Sequence, residues 1–206
     1  LLDENGISME DGKFASYVRP AKGIPRFITK LTGITDEAVS HAEDFAGVGR
    51  SFLEFVFEKV VDYRDTNRRN NVDTIVLVAH NGRRFDIPFL LHHMKHHKVV
   101  GWTQFFQMYD ILCLDTLLLT KESIKNKNPK EVPTKYMLGG FYEYVTGRSL
   151  GEDAHSAPAD VAATSAILRF PIFWEKRFTQ LTPLPSLERH TTPSRPQEPR
   201  TPRQTP

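Results

Sequence analysis

Cysteine is nearly absent from this sequence. Cys113 stands alone, so no disulfide can close within the chain, and a disulfide-stapled secreted scaffold is excluded. A reducing, intracellular setting is the expectation, with nucleus and cytoplasm both open. Long apolar runs are missing as well: the longest, Thr74 to Ala79 and Ile111 to Leu119, fall far short of the roughly 20 residues a membrane helix requires. No basic stretch followed by an apolar core opens the chain, so neither a signal peptide nor a membrane partner is expected. There is no excess of charge of one sign either, since 27 Lys and Arg face 25 Asp and Glu. The small surplus lies after Thr179, where Arg189, Arg195, Arg200 and Arg203 meet Glu188 and Glu198. The remainder is formally neutral, which argues against broad coating of nucleic acid while leaving local attraction of phosphate available.

The 206 residues, 39% of them hydrophobic, suffice for one buried core of ordinary size, expected over residues 1–178. Residues 179–206 read as a disordered tail, because seven of the chain's 14 prolines fall there among Thr, Ser, Gln and Arg. That tail is either a linker or a ligand for a proline-recognising protein partner. The first residue is Leu1 rather than Met, so the chain is expected to be a fragment whose beginning lies inside a domain.

Turn dipeptides Asn5-Gly6 and Asp11-Gly12, with alternation from Phe14 to Val18, predict a hairpin or meander over Leu1 to Pro20. Short helices are expected over Ile24 to Leu31 and from Asp36-Glu37 onward, and an amphipathic helix over Phe45 to Val61. The β-branched run Thr74 to Ala79 reads as a buried central strand, and Ile111 to Leu119 as a second strand containing Asp115. A helix follows Asp86, Lys121 to Lys135 is a polar connection, Tyr136 to Thr146 is a helix ended by Gly147, and Pro158 opens a helix towards Leu168. Strands alternating with helices indicate an α/β or α+β fold.

Two segments carry chemistry: Val78-Ala79-His80-Asn81-Gly82-Arg83-Arg84-Phe85-Asp86 and His155-Ser156-Ala157-Pro158-Ala159-Asp160. Each brings a carboxylate to the edge of a regular element, suited to a hard divalent cation, and the second adds a histidine. With an unperturbed pKa of about 6.5, His155 can be neutral at physiological pH and accept a proton from water. Taken singly, Asp86 is an N-cap candidate and Asp160 a charge at a helix start. His80 and Asn81 either close a turn through side-chain hydrogen bonds or touch substrate. Asp115-Thr116 reads as structural. Arg83-Arg84 and the lysines from Lys121 to Lys135 are phosphate contacts or solvated side chains. His92, His93, His96 and His97 contain two i,i+4 pairs, a spacing that presents imidazoles to zinc, without a partnered Glu.

The combination resembles the DEDDh (DnaQ-like) family of 3′–5′ exonucleases, which includes proofreading subunits, oligoribonucleases and three-prime repair exonucleases. The segment from Leu77 to Asp86 with Phe89-Leu90 is similar to that family's second motif, and His155-Ser156-Ala157 through Asp160-Val161 to its third. Thr32-Gly33-Ile34-Thr35 and Leu114-Asp115-Thr116-Leu117 are similar to further family segments in the same order, so the resemblance covers roughly Leu1 to Leu168. It implies an RNase H-like mixed sheet flanked by helices, with Asp86 and Asp160 binding Mg²⁺ or Mn²⁺, two ions in the complete site. It also implies His155 as general base, and the expected partner is single-stranded nucleic acid or a 3′ terminus, with His80 and Asn81 the candidate nucleic-acid contacts. The family's first motif, Asp-x-Glu, is not found: Thr32 is preceded by 31 residues, and Asp3-Glu4 are adjacent beside a turn dipeptide. The fold is therefore expected to be truncated at its N-terminal strand. A catalytically degenerate domain retained for binding protein or nucleic acid is the alternative.

Overall fold

The computed structural model describes residues 1–3, 9, 11–67, 74–128, 132–133, 136–151 and 156–184. Its centre is a mixed sheet in which strand β1 (Thr74–Ala79) lies parallel to β2 (Asp110–Asp115), in register from Thr74 opposite Asp110 to Ala79 opposite Asp115. A short strand β3 (Thr182–Pro183) adds antiparallel to β2, so the order is β1-β2-β3.

Parallel neighbours need a crossover that returns the chain to the same end of the sheet. Helices α4 (Asp86–His96) and α5 (Trp102–Met108) supply it. Before β1 come α1 (Arg26–Thr32), α2 (Asp36–Val39) and the long α3 (Phe45–Asn67). After β2 come α6 (Thr116–Ile124), α7 (Leu138–Thr146), α8 (Ala157–Leu168) and α9 (Pro171–Lys176), the last running into a 3-10 turn at Arg177–Gln180.

Alternation of side chains along the strands divides the core in two. On one face Ile75, Leu77, Ile111 and Cys113 pack with Leu53, Val56 and Val60 of α3, Ile87, Leu91 and Met94 of α4, and Phe105 of α5. On the other, Val78 and Leu114 pack with Leu119 of α6, Phe141 of α7, Ile167 of α8 and Phe173 of α9. Helices thus cover both faces, as a parallel strand pair that is apolar on both sides requires.

Several boundaries differ from the sequence reading. The apolar run Ile111 to Leu119 is strand only as far as Asp115. There the Asp115 carboxylate accepts the N–H of Leu117 and starts α6, so the polar pair Asp115-Thr116 inside the apolar run marks the change of period. The polar connection expected from Lys121 accordingly begins as helix, through Ile124. Phe14 to Val18 forms no strand. Phe14 instead lies against α3, with ring centroids 5.7 Å from Phe52 and 5.5 Å from Phe55. Asn5-Gly6 lies outside the described residues, whereas Gly12 does turn, its N–H donating to the Met9 carbonyl. Helix α3 extends past Val61 to Asn67, and α5 and α9 were not foreseen. Gly147 ends α7 in the left-handed conformation, as its sequence position implied. The packed body runs past the boundary drawn at Thr179, because β3 pairs with β2 and Leu184 is 1% exposed. Residues 185–206 lie outside the described residues.

Candidate active site

The C-terminal ends of β1 and β2 lie side by side, with Ala79 opposite Asp115, and the segment 80–85 turns over this end before α4 begins. Two features make the turn tight. Asn81 adopts φ 62°, the left-handed region that Asn tolerates better than most side chains. Gly82 passes so close to the strand that an added Cβ would stand 2.5 Å from the Ala79 Cβ, so that any larger residue would force the turn or the strand to shift.

Asp115 holds this turn. Its side chain is buried, 3% exposed, and accepts three backbone N–H groups: Asn81 at 2.9 Å, Arg83 at 3.2 Å and Leu117 at 3.0 Å. A buried carboxylate demands such donors, and here they come from both the β1–α4 turn and the start of α6. The structural reading of Asp115 is correct, and its structural task is to hold the turn that carries the second motif.

His80 is the second anchor. Its Nε2 lies 3.2 Å from the Tyr136 carbonyl and its Nδ1 3.0 Å from the Thr116 hydroxyl. A carbonyl only accepts, so the neutral ring carries its proton on Nε2, and Nδ1 accepts from Thr116. Burial holds the His80 pKa below the ordinary imidazole value and outweighs the opposite pull of the Tyr136 carbonyl, Asp115 and Asp86; Lys121 adds to the lowering. Both ring nitrogens are thus taken by the protein. Thr116, Tyr136 and Lys121 were not singled out in the sequence as neighbours of His80. Thr116 carried a signal, since it lies in the Leu114 to Leu117 segment; Tyr136 is reached only through the fold.

Asp86 is not the cap of α4. Phe85 occupies that position without a side-chain hydrogen bond, and Asp86 is the first residue within the helix. Its carboxylate is exposed at the helix end where N–H groups concentrate partial positive charge. The exposed rings of Phe85 (66%) and Phe89 (61%) flank it in sequence. Asp160 lies in the first turn of α8, capped by Ser156, whose hydroxyl accepts the N–H of Ala159. Helix α8 packs against α7 and β1. Neither the Asp86 nor the Asp160 carboxylate makes a hydrogen bond or ion pair among the described residues. His155 lies outside the described residues.

Two unclaimed carboxylates are oxygen donors of the kind a hard divalent cation takes. Among the described residues, however, no three His, Cys, Asp or Glu side chains converge into a group that could hold an ion. Asp86 and Asp160 therefore fit such a cation as part of a ligand set and do not complete one.

Comparison with known proteins bears on this arrangement directly. The chain is 33% identical over 121 residues to the 3′-5′ exonuclease DinG of Bacillus subtilis, a stretch covering 59% of this chain and 10% of that protein. It is 32% identical over 102 residues to the PolC-type DNA polymerase III of Mycoplasma genitalium, covering 50% of this chain and 6% of that protein. The chain thus matches a small part of each relative's length. The family model for the RNase_T exonucleases matches residues 3–168, which takes in the sheet pair β1–β2, the turn at 80–85 and all of α8. The chain belongs to the RNase_T exonuclease family, within the DEDDh (DnaQ-like) group of RNase H-like fold.

Proposed function

We propose that this chain forms the body of a divalent-metal-dependent 3′–5′ exonuclease that shortens single-stranded nucleic acid from its 3′ terminus and releases nucleoside 5′-monophosphates. The observation that carries the reading is the placement of Asp86: an exposed carboxylate without a partner among the described residues, on the first residue of α4 directly after a turn held by Asp115 and His80. A site that must hold reacting atoms within a fraction of an ångström needs such a rigid support.

Asp86 and Asp160 would hold Mg²⁺ or Mn²⁺, two ions in the complete site, together with water, phosphate oxygens and carboxylates beyond the described residues. Bound there, the ions supply acidified water and countercharge for the leaving oxygen. His155, which precedes α8, would accept the proton of the attacking water. His80 fixes the turn, leaving the Asn81 side-chain amide, which makes no hydrogen bond among the described residues, to meet a phosphate or sugar oxygen. The exposed Phe85 and Phe89 rings offer apolar faces to terminal bases, a contact that tolerates any base. The proline-rich residues 185–206 would act as a linker or as a ligand for a proline-recognising partner. No helix among the described residues is long and apolar enough to cross a membrane.

The test is degradation of 5′-labelled and 3′-labelled single-stranded DNA and RNA with Mg²⁺, using this chain and any longer natural form of it, beside Asp160→Asn. Stepwise shortening from the 3′ end that the variant lacks supports the reading and names the substrate. Intact oligonucleotides with every folded form would overturn it.

A further inference from the structure

Helix α4 carries four histidines, and the fold sorts them into two pairs of different character. Ile87, Leu91 and Met94 are buried and fix which face of the helix meets the core. His93 and His97 lie beside that face. Their rings pack on Phe45 at 5.0 and 5.3 Å, and the His93 ring stands 4.2 Å from that of Phe89, which commits this pair to an aromatic cluster. His92 and His96 are exposed on successive turns, with ring centroids 5.6 Å apart and planes 11° from parallel.

The helical spacing brings the two rings within reach of one ion, although the near-parallel stack itself does not bind it, because a metal ion lies in the plane of each imidazole it takes. With metal–nitrogen bonds of about 2.0–2.1 Å and a tetrahedral angle, the centroids of two imidazoles on one ion stand about 5 Å apart. The 5.6 Å centroid separation is within a few tenths of an ångström of that, and both exposed rings must also turn about their side-chain bonds, out of the stack, to aim one nitrogen each at the ion, which requires no backbone movement. Imidazole nitrogens favour borderline transition ions over the hard cations that carboxylates take. Lys95, exposed between the two histidines in sequence, opposes a cation through the charge of its long side chain, and solvent screens that opposition.

We propose that His92 and His96 form a two-imidazole chelate for a divalent transition metal of the Zn²⁺ and Ni²⁺ class. No third His, Cys, Asp or Glu joins them among the described residues, so water fills the other coordination positions. The site is separate from the carboxylates discussed above. At about 1.5 Å per residue, His92 and His96 lie roughly 9–15 Å along the helix axis from Asp86. A bound ion ties together the last turns of the helix whose first residue is Asp86, and so stabilises that helix. The inference stands on the geometry of α4 and does not depend on the proposed exonuclease activity.

The test is calorimetric titration of the whole chain with Zn²⁺ and with Ni²⁺, in a non-chelating buffer containing millimolar Mg²⁺, paired with thermal melting followed by circular dichroism. The expected result is one saturable ion per chain and a higher melting temperature with the ion. In His92→Ala/His96→Ala the affinity falls at least tenfold and the melting shift disappears, while His41→Ala, an exposed histidine elsewhere, binds like the parent. The circular dichroism spectrum of the double variant without metal confirms that it folds. No uptake by the parent chain, equal uptake by the double variant, or loss of uptake in His41→Ala overturns the proposal.

Discussion

The Oδ1 atom of Asp115 lies 2.9 Å from the backbone nitrogen of Asn81, joining the end of β2 to the turn that leads into Asp86. The same carboxylate takes the N–H groups of Arg83 and Leu117. Replacing it with Ala leaves three backbone donors without their acceptor in a buried place. Asp115→Ala is therefore expected to lower folding stability by about 2–4 kcal/mol, measured by urea denaturation. Asp115→Asn keeps one acceptor oxygen but turns an amide donor towards an N–H, so it falls between the parent and the alanine variant.

The contact of Gly82 with Ala79 gives a sharper test of the turn. Gly82→Ala places a methyl 2.5 Å from the Ala79 Cβ and is expected to cost about 1–3 kcal/mol through overpacking. Ala79→Gly removes the opposing carbon. The double variant Ala79→Gly/Gly82→Ala should therefore be more stable than the sum of the two single losses predicts, a coupling that a double-mutant cycle reads directly.

His80 makes stability depend on pH with a defined sign. Its folded pKa lies below the unfolded value, chiefly through burial, so as pH falls the unfolded chain takes up the proton first. Its contribution is complete above about pH 6.5, the unfolded value, and is lost progressively as pH falls below it. Denaturation midpoints for the parent and for His80→Gln should converge between pH 7.5 and about pH 5, the parent losing more.

How legible this arrangement was in the sequence depends on what each residue contacts. β1 and β2 as strands, the helices after Asp86 and after Pro158, and the stop at Gly147 were readable because period, β-branching and capping residues are local. The place of β1 was misread, since the run expected to be a buried central strand lies at the edge of the described sheet with no fully buried residue, and β2 is the central strand. The change from strand to helix at Thr116 did carry a local sign, the cap residue Asp115, but the apolar residues that continue through Leu119 hid it. Asp86 was read as a cap because Asp commonly is one, yet the turn at Gly82 places Phe85 in that position. The meeting of His80 with Tyr136 spans 56 residues and depends on where α7 packs, which no local pattern encodes.

Cys113 offers a check on the interior. It lies on β2, 1% exposed, and burial, helped by Asp115 and opposed by Arg83, pushes its thiol pKa up to about 11. The thiolate is the reactive form, so a disulfide reagent at pH 8 should modify the native chain at the rate of its unfolding and the denatured chain at once.

The central claim is that Asp86 and Asp160 are functional carboxylates that the fold does not need. The most direct measurement compares 3′-terminal nucleotide release in Mg²⁺ with urea midpoints for Asp86→Asn, Asp160→Asn and the parent in its active form. The account predicts activity at least about 100-fold lower in each variant, with stability within about 0.5 kcal/mol of the parent. Variants that keep full activity, or lose it only in proportion to lost stability, would contradict it.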